Sequence, residues 1–399
     1  MYKKPYGRFS RSTPSRFGGP NRGRRQGFSS RSSFSDFSKY INKNPEALVE
    51  EIYTPQTKIT ELNINERLKN NILQKGYKDL TPIQDKTIPL IIDGKDIIGI
   101  ANTGTGKTGA FLIPMINKTY SDINQKVLII APTRELAQQI NTEFRSFASG
   151  MNLFSTLCIG GTSMFSQRKD LNRVHNFLIC TPGRVKDLAQ RGWVNLSLYN
   201  NIVIDEVDRM FDMGFQKDIS LILGLLPKTR QALFFSATVS NDIEILINKY
   251  LVSPIKISIN EKKSATHIMQ DIIRTSSPSE KMTVLHDMLI KPEFSKVLIF
   301  IKTKWSLNEI EKELKDRGFL VTSIHGNKTQ VARQKSLAHF RENRTKILLA
   351  TDVAARGLDI DNVSHVINFD RPATYDDYIH RIGRTGRGNK KGIALTFVN

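Results

Sequence analysis

The chain has 399 residues, with 59 Lys and Arg against 38 Asp and Glu and 39% hydrophobic residues. That length allows two to three domains with ample core, and the surplus of +21 calls for an anionic partner. Its two cysteines, Cys158 and Cys180, sit in apolar runs without CxxC spacing, which excludes a disulfide framework and a zinc site; no apolar run approaches the roughly 20 residues of a membrane span, so a cytoplasmic protein with no membrane attachment is expected.

Residues 1–50 read as a disordered basic tail. Up to Tyr40 there are ten Lys and Arg against Asp36 alone, interleaved with Gly, Ser and aromatics such as Tyr2, Phe9, Phe17, Phe28 and Phe37. The stretch contains no Ala, Val, Ile or Leu, too little aliphatic surface to offset backbone ordering, and none for the amphipathic helix of a transit peptide. Arg and aromatic side chains on such a tail can pair with phosphates and stack on unpaired bases, or simply keep the chain soluble.

Ordered structure is expected from near Tyr53. Asn63 or Asn65 caps a helix carrying Leu68 and Ile72, which Gly76 closes. Thr81-Pro82-Ile83-Gln84 starts another, with the Thr and Gln of a capping box and Pro in the first turn. Next, the apolar run Ile97 to Ile100 leads through Ala101 into Thr103-Gly104-Thr105-Gly106-Lys107-Thr108 and then into Phe111, Leu112 and Ile113: strand, small-residue turn, helix. Backbone N–H groups of such a turn and the positive end of its helix favour a polyphosphate; Lys107 can reach terminal phosphates and the Thr108 hydroxyl can ligate Mg²⁺.

Strands then alternate with helices. Val127 to Ala131 ends in Pro132-Thr133-Arg134-Glu135, Leu153 to Ile159 in Gly160-Gly161, and Phe177 to Cys180 in Thr181-Pro182-Gly183-Arg184. Ile202 to Asp205 ends in Asp205-Glu206-Val207-Asp208, and Ala232 to Phe235 in Ser236-Ala237-Thr238. Buried strands alternating with helices form a parallel sheet covered on both faces, and ligands bind beyond the carboxyl ends of its strands, where all of these polar clusters fall. The alternation weakens between Pro254 and Lys281, then resumes with Val297 to Ile301, Leu320 to Ile324, Ile347 to Ala350, Val363 to Phe369 and Ile393 to Val398. The expected organisation is a tail at 1–50, a first α/β domain at 51–255, a linker at 256–267 and a second α/β domain at 268–399.

Asp205-Glu206 supplies two carboxylates with separable tasks: Asp205 to hold hydrated Mg²⁺ opposite Thr108, Glu206 to orient or deprotonate a water. An acidic pair after a strand also serves as a helix start. In His380-Arg381-Ile382-Gly383-Arg384-Thr385-Gly386-Arg387, Arg384 and Arg387 read as arginine fingers that reach a γ-phosphate when the cleft between the domains closes.

Eleven strings in order, from about Ile59 to Val398, make the chain resemble the DEAD-box ATP-dependent RNA helicases of superfamily 2. They are GYKDLTPIQ, ANTGTGKT, PTRELAQQ, GG, TPGR, DEVD, SAT, LIF, Gln330-Val331-Ala332-Arg333, ATDVAARGLDI and HRIGRTGR. The resemblance implies two RecA-like domains in tandem, with Gln84 on the adenine edge and Thr103, Gly104, Thr105, Gly106, Lys107 and Thr108 around the phosphates. It places Asp205 and Thr108 on Mg²⁺, Glu206 on water and Asp359 on the ribose. Asp208 would link the site to Ser236, Thr238 and His380. RNA-backbone contacts fall to Arg134, Gly161, Thr181, Gly183, Gln330, Arg333 and Thr351, all blind to sequence.

Three positions depart from the pattern. Ile59 stands seventeen residues before Gly76, where the family has an aromatic that stacks on adenine; Tyr53 is too far away in sequence to be assumed a substitute. Leu80 replaces the first Pro of PTPIQ. Val207 replaces the Ala of DEAD, and as a β-branched residue it suits a position near a strand end.

The expectation is an ATP hydrolase that closes on ATP and on single-stranded or short duplex RNA and opens duplexes locally, working as a monomer with possible ribonucleoprotein partners. An ATP-gated RNA clamp or chaperone is the alternative, and a DNA translocase on the same motor a more distant one.

Overall fold

In the computed structural model the described residues are 41, 53–102, 104–259, 268–355, 360, 363–386 and 392–398. The expected tail lies outside them apart from Ile41, as does 260–267 of the expected linker.

The first domain runs α1 (Glu66–Gln74), α2 (Pro82–Ile92), β1 (Ile97–Ile100), α3 (Lys107–Ser121), β2 (Val127–Ile130), α4 (Arg134–Phe147), β3 (Ser155–Cys158) and α5 (Met164–Leu171). It continues with β4 (Phe177–Cys180), α6 (Pro182–Gln190), β5 (Asn201–Asp205), α7 (Val207–Asp212), α8 (Gln216–Leu225), β6 (Gln231–Ser236), α9 (Asn241–Tyr250) and β7 (Ile255–Ser258). Seven strands pair in the order β3-β4-β2-β5-β6-β1-β7, each pair parallel.

Period-two alternation explains how this sheet is covered on both faces. Ile97, Ile129, Ile179, Val203 and Phe235 join one core, whereas Ile98, Leu128, Leu178, Ile204 and Phe234 join the other. Cys158 and Cys180 are both buried in the second core, as core thiols should be. Asn65 is the residue that caps α1, accepting from the Arg67 N–H, and Gly76 follows that helix at φ +92°.

The second domain runs β8 (Ile268–Arg274), α10 (Pro278–Leu289), β9 (Val297–Phe300), α11 (Lys304–Asp316), β10 (Val321–Ile324) and α12 (Gln330–Arg341). Then come β11 (Ile347–Ala350), α13 (Asp352–Ala355), β12 (His365–Asn368), α14 (Tyr375–Ile382) and β13 (Gly392–Val398). Its six strands are ordered β10-β11-β9-β12-β13-β8, again parallel throughout. The fold is thus two parallel-sheet α/β domains in tandem.

One local expectation is corrected. Lys256, Ile257 and Ser258, assigned to the linker, form the edge strand β7 on β1. They alternate half-buried and exposed, a one-sided pattern that suits an edge and hides the strand from a search for buried runs. Val207, two residues past the end of β5, is the first residue of helix α7 and is fully buried; the chain turns one residue earlier, at Glu206.

Candidate active site and nucleic-acid cleft

Because every strand of the first sheet points the same way, its polar loops share one edge, and strand order divides that edge in two. The loops after β5, β6 and β1 are neighbours and carry DEVD, SAT and the glycine turn. Those after β3, β4 and β2 are neighbours and carry GG, TPGR and PTRE.

In the first half, Gly104 and Gly106 adopt left-handed conformations, φ +85° and +92°, and Lys107 opens α3. Lys107 is buried; its ammonium donates to the carbonyls of Ala101 at 2.7 Å and Asn102 at 2.8 Å. Burial lowers its pKa, against the opposing pull of Asp205, Glu206 and Asp208. Gln84, fully buried, closes its capping box by accepting from the Thr81 N–H at 3.0 Å, and donates to the Gly106 carbonyl at 3.0 Å. A side chain on Gly106 would meet Gln84 Nε2 at 2.6 Å, so glycine is required there by close approach as well as by φ.

Asp205 ends β5 buried, and its Oδ1 has no protein partner. Burial, then the neighbouring Glu206 charge, push its carboxyl up to about 7. A buried carboxylate oxygen left over fits a hard cation such as Mg²⁺, which takes one or two carboxylates and fills its remaining positions from water and phosphate; Thr108, the second residue of α3, follows Lys107.

Glu206 sits at φ +55°, ψ +53°, a left-handed conformation that costs a non-glycine residue about 1–2 kcal/mol. Its carboxylate accepts from Arg209 Nη1 at 2.8 Å, and both side chains are buried. Asp208 joins the DEVD and SAT loops: its Oδ2 accepts from the N–H groups of Ala237 (3.0 Å) and Thr238 (2.9 Å) and from the Thr238 hydroxyl (3.2 Å). The Asp208 N–H donates in turn to Ser236 Oγ at 3.2 Å. His380 comes from the second domain to this cluster. Burial lowers its pKa most, followed by the Arg209 charge, with Arg384 acting the same way and Asp208 and Glu206 opposing.

Arg384 is buried beside His380 in a small cavity of the second domain. Arg381, which the sequence did not single out, underpins that helix. It makes a bidentate pair with Asp352 (2.6 and 2.8 Å) and donates to the Asp370 carbonyl at 2.7 Å. Thr103, Asp359 and Arg387 lie outside the described residues.

In the second half of the edge, a cleft is lined by Arg134, Gly160, Thr181, Gly183 and Arg184 of the first domain and Gly326 and Arg333 of the second. The Arg134 guanidinium occupies the space that a side chain on Gly161 would need, and Gly161 is also left-handed at φ +75°. Gln330 and Arg333 are buried and both meet Glu135, at 3.3 and 2.9 Å, while Gln334 donates to Gln138 at 2.6 Å. The starts of α4 and α12 are thereby tied across the two domains. Glu135 and Arg209 were missed: a carboxylate in the first turn of a helix, and an Arg three residues from a Glu, look like ordinary helix features. Thr351 follows β11, on the loop beside the one that holds Gly326.

Ile59 is packed in the core at 1% exposure, and Leu80 is buried as well. Tyr53, six residues earlier, donates its hydroxyl to Asp85 Oδ2 at 2.6 Å, and Asp85 also accepts from the N–H groups of Gln56 and Thr57.

Two parallel-sheet domains with a phosphate-type loop, an Asp-Glu pair and an arginine helix define a two-domain nucleotide-dependent motor. Comparison with known families makes that specific: a DEAD/DEAH box helicase model matches residues 81–246 and a helicase conserved C-terminal domain matches 280–389. The chain belongs to the DEAD-box family of ATP-dependent RNA helicases.

Among relatives, it is 40% identical over 343 residues to the ATP-dependent RNA helicase CshA of Listeria monocytogenes, covering 86% of this chain and 66% of that protein. It is 39% identical to CshA of Limosilactobacillus reuteri, covering 86% and 69%. The chain thus spans about two thirds of the length of these relatives. Among solved structures, S. cerevisiae Dbp5 bound to RNA and ADP BeF3 matches at TM-score 0.75 and 29% identity, over 86% of this chain and 89% of that one. Mss116p bound to ssRNA and AMP-PNP matches at 0.78 and 27%, over 90% and 77%. These likenesses extend over both RecA-like domains.

Proposed function

We propose that this chain is an RNA-dependent ATP hydrolase that couples closure of its two domains on ATP and RNA to local, non-processive duplex opening. The observation that carries the reading is the divided edge: a site suited to phosphate and a basic cleft share one sheet, and each receives groups from the second domain. Relatives named as ATP-dependent RNA helicases, and a neighbour bound to RNA and a nucleotide analogue, support it.

In this reading the glycine turn and Lys107 cradle the phosphates, Gln84 meets the adenine edge, and Glu206 orients the attacking water and takes its proton. Mg²⁺, held by Thr108 and Asp205, would neutralise charge on the terminal phosphates. Arg384 and Arg387 approach the γ-phosphate only in the closed arrangement, with Asp359 at the ribose. Asp208 carries the state of the site through Ser236 and Thr238 to His380. Arg134, Gly161, Thr181, Gly183, Gln330, Arg333 and Thr351 hold the RNA backbone, so binding is indifferent to base sequence.

Steady-state ATP hydrolysis with and without single-stranded RNA tests the reading. Strong stimulation is expected, and Glu206→Gln should lower turnover about 10²–10⁴-fold, the usual range for a general base, while RNA binding persists. Hydrolysis indifferent to RNA would defeat the coupling. Duplex annealing undiminished by Glu206→Gln would favour an ATP-gated clamp or chaperone.

A further inference from the structure

Trp305 is one of two tryptophans in the chain and is 70% exposed, in the first turn of α11. The helix buries Leu307, Ile310 and Leu314 against its sheet, and Trp305, two residues before Leu307, falls on the opposite side. A packing role is therefore excluded.

Its position in the second sheet is specific. The loops after β9, β11 and β10 are neighbours on one edge: the first leads to Trp305, the second holds Thr351, and the third holds Gly326, which lines the cleft. Lys304 Nζ donates to Asn327 Oδ1 at 3.2 Å, tying the start of α11 to that third loop. Lys302, Thr303 and Lys304 before the tryptophan are all exposed; the exposed carboxylates on the same helix are Glu309, one turn later, and Asp316 at its far end.

An exposed indole behind two lysines, at the start of a helix tied to the loop whose Gly326 lines a basic cleft, suits a partner with both negative charge and flat apolar faces. We propose that Trp305 stacks on an unpaired base of the RNA strand where it leaves the cleft, adding a base contact to binding otherwise made through backbone. This rests on the RNA reading of the cleft. Stacking of this kind tolerates any base, because every base has a π-face, and it resists the strand sliding along its phosphates.

The test uses the full chain with Trp193→Phe, so that Trp305 is the sole tryptophan, together with a non-hydrolysable ATP analogue and a short labelled oligouridylate. Binding is followed by anisotropy of the label and stacking by tryptophan emission. Emission should fall as the RNA binds, and should not fall with an abasic strand of equal length that still binds. Trp305→Ala should weaken binding about tenfold, the scale of one base–aromatic stack, with the salt slope unchanged because no phosphate contact is lost. Trp305→Phe should recover most of the affinity. Oligouridylate that binds with emission and Trp305→Ala affinity both unaltered overturns the proposal while leaving the cleft reading intact. Failure of any RNA to bind overturns both.

Discussion

The two halves of the first sheet's edge are made by the same plan, a parallel strand running into a polar loop, yet they treat charge in opposite ways. In the phosphate half, Lys107, Asp205, Glu206, Asp208 and Arg209 are all buried, Asp205 Oδ1 has no protein partner and Glu206 is held left-handed. In the other half, charge lines an open cleft: Arg134 and Arg184 border it, and only where the second domain arrives, at Glu135 with Arg333, is a pair buried. In the proposed reading, the half that concentrates field on a few atoms carries stored cost, and the half that tracks a polyanion stays open.

Removing the buried pair tests that contrast most strongly. Glu135→Ala leaves the buried Arg333 and Gln330 without their carboxylate, and breaking one partner of a buried pair costs about 3–5 kcal/mol. Chemical denaturation should show that loss. Nucleotide binding by the first domain should be spared, since Glu135 follows β2 in the other half of the sheet edge; an equal loss of ATP affinity would mean that the two halves are not separable.

Asp205→Asn probes the opposite sign. Because the Asp205 carboxyl is pushed up to about 7 from 3.8, the folded state keeps a proton that the unfolded chain has released over that window. Its contribution to stability is present below the unfolded value and lost as pH rises through the folded one. The amide removes that dependence, so the variant should match the parent near pH 4 and exceed it near pH 8, by roughly 2–4 °C in Tm for each kcal/mol relieved, with hydrolysis abolished. A variant less stable than the parent near pH 8 would show that the carboxylate is not strained by its burial.

Much of this was readable in the residues themselves. Both sheets followed from short β-branched runs separated by helical spacing, and the phosphate half from Gly104 to Thr108 with Asp205 and Glu206, because that chemistry demands particular residue types in contiguous strings. The cleft was harder to read. Arg134, Thr181 and Gly183 are unremarkable helix starts, and only strand order, which no local pattern encodes, makes their loops neighbours. Glu135 and Arg209 were invisible for the same reason: their meaning lies in partners brought together by the fold.

The smallest effect concerns the base of α2. Ile59 stands where the family has an aromatic and is buried in the core, while Tyr53 is folded back onto Asp85, the residue next to Gln84. Asp85 collects the Tyr53 hydroxyl and two backbone N–H groups, so one carboxylate pins residues 53–57 against the helix that presents Gln84. Burial, then the carboxylate, push the Tyr53 phenol up to about 12, so it remains a donor throughout the working pH range. Tyr53→Phe keeps the ring and deletes one of three bonds, for a cost of about 1 kcal/mol in thermal unfolding. Asp85→Ala deletes all three and should cost more than Tyr53→Phe in the same measurement. Equal losses from the two variants would mean that the phenol, and not the carboxylate, is what holds the segment.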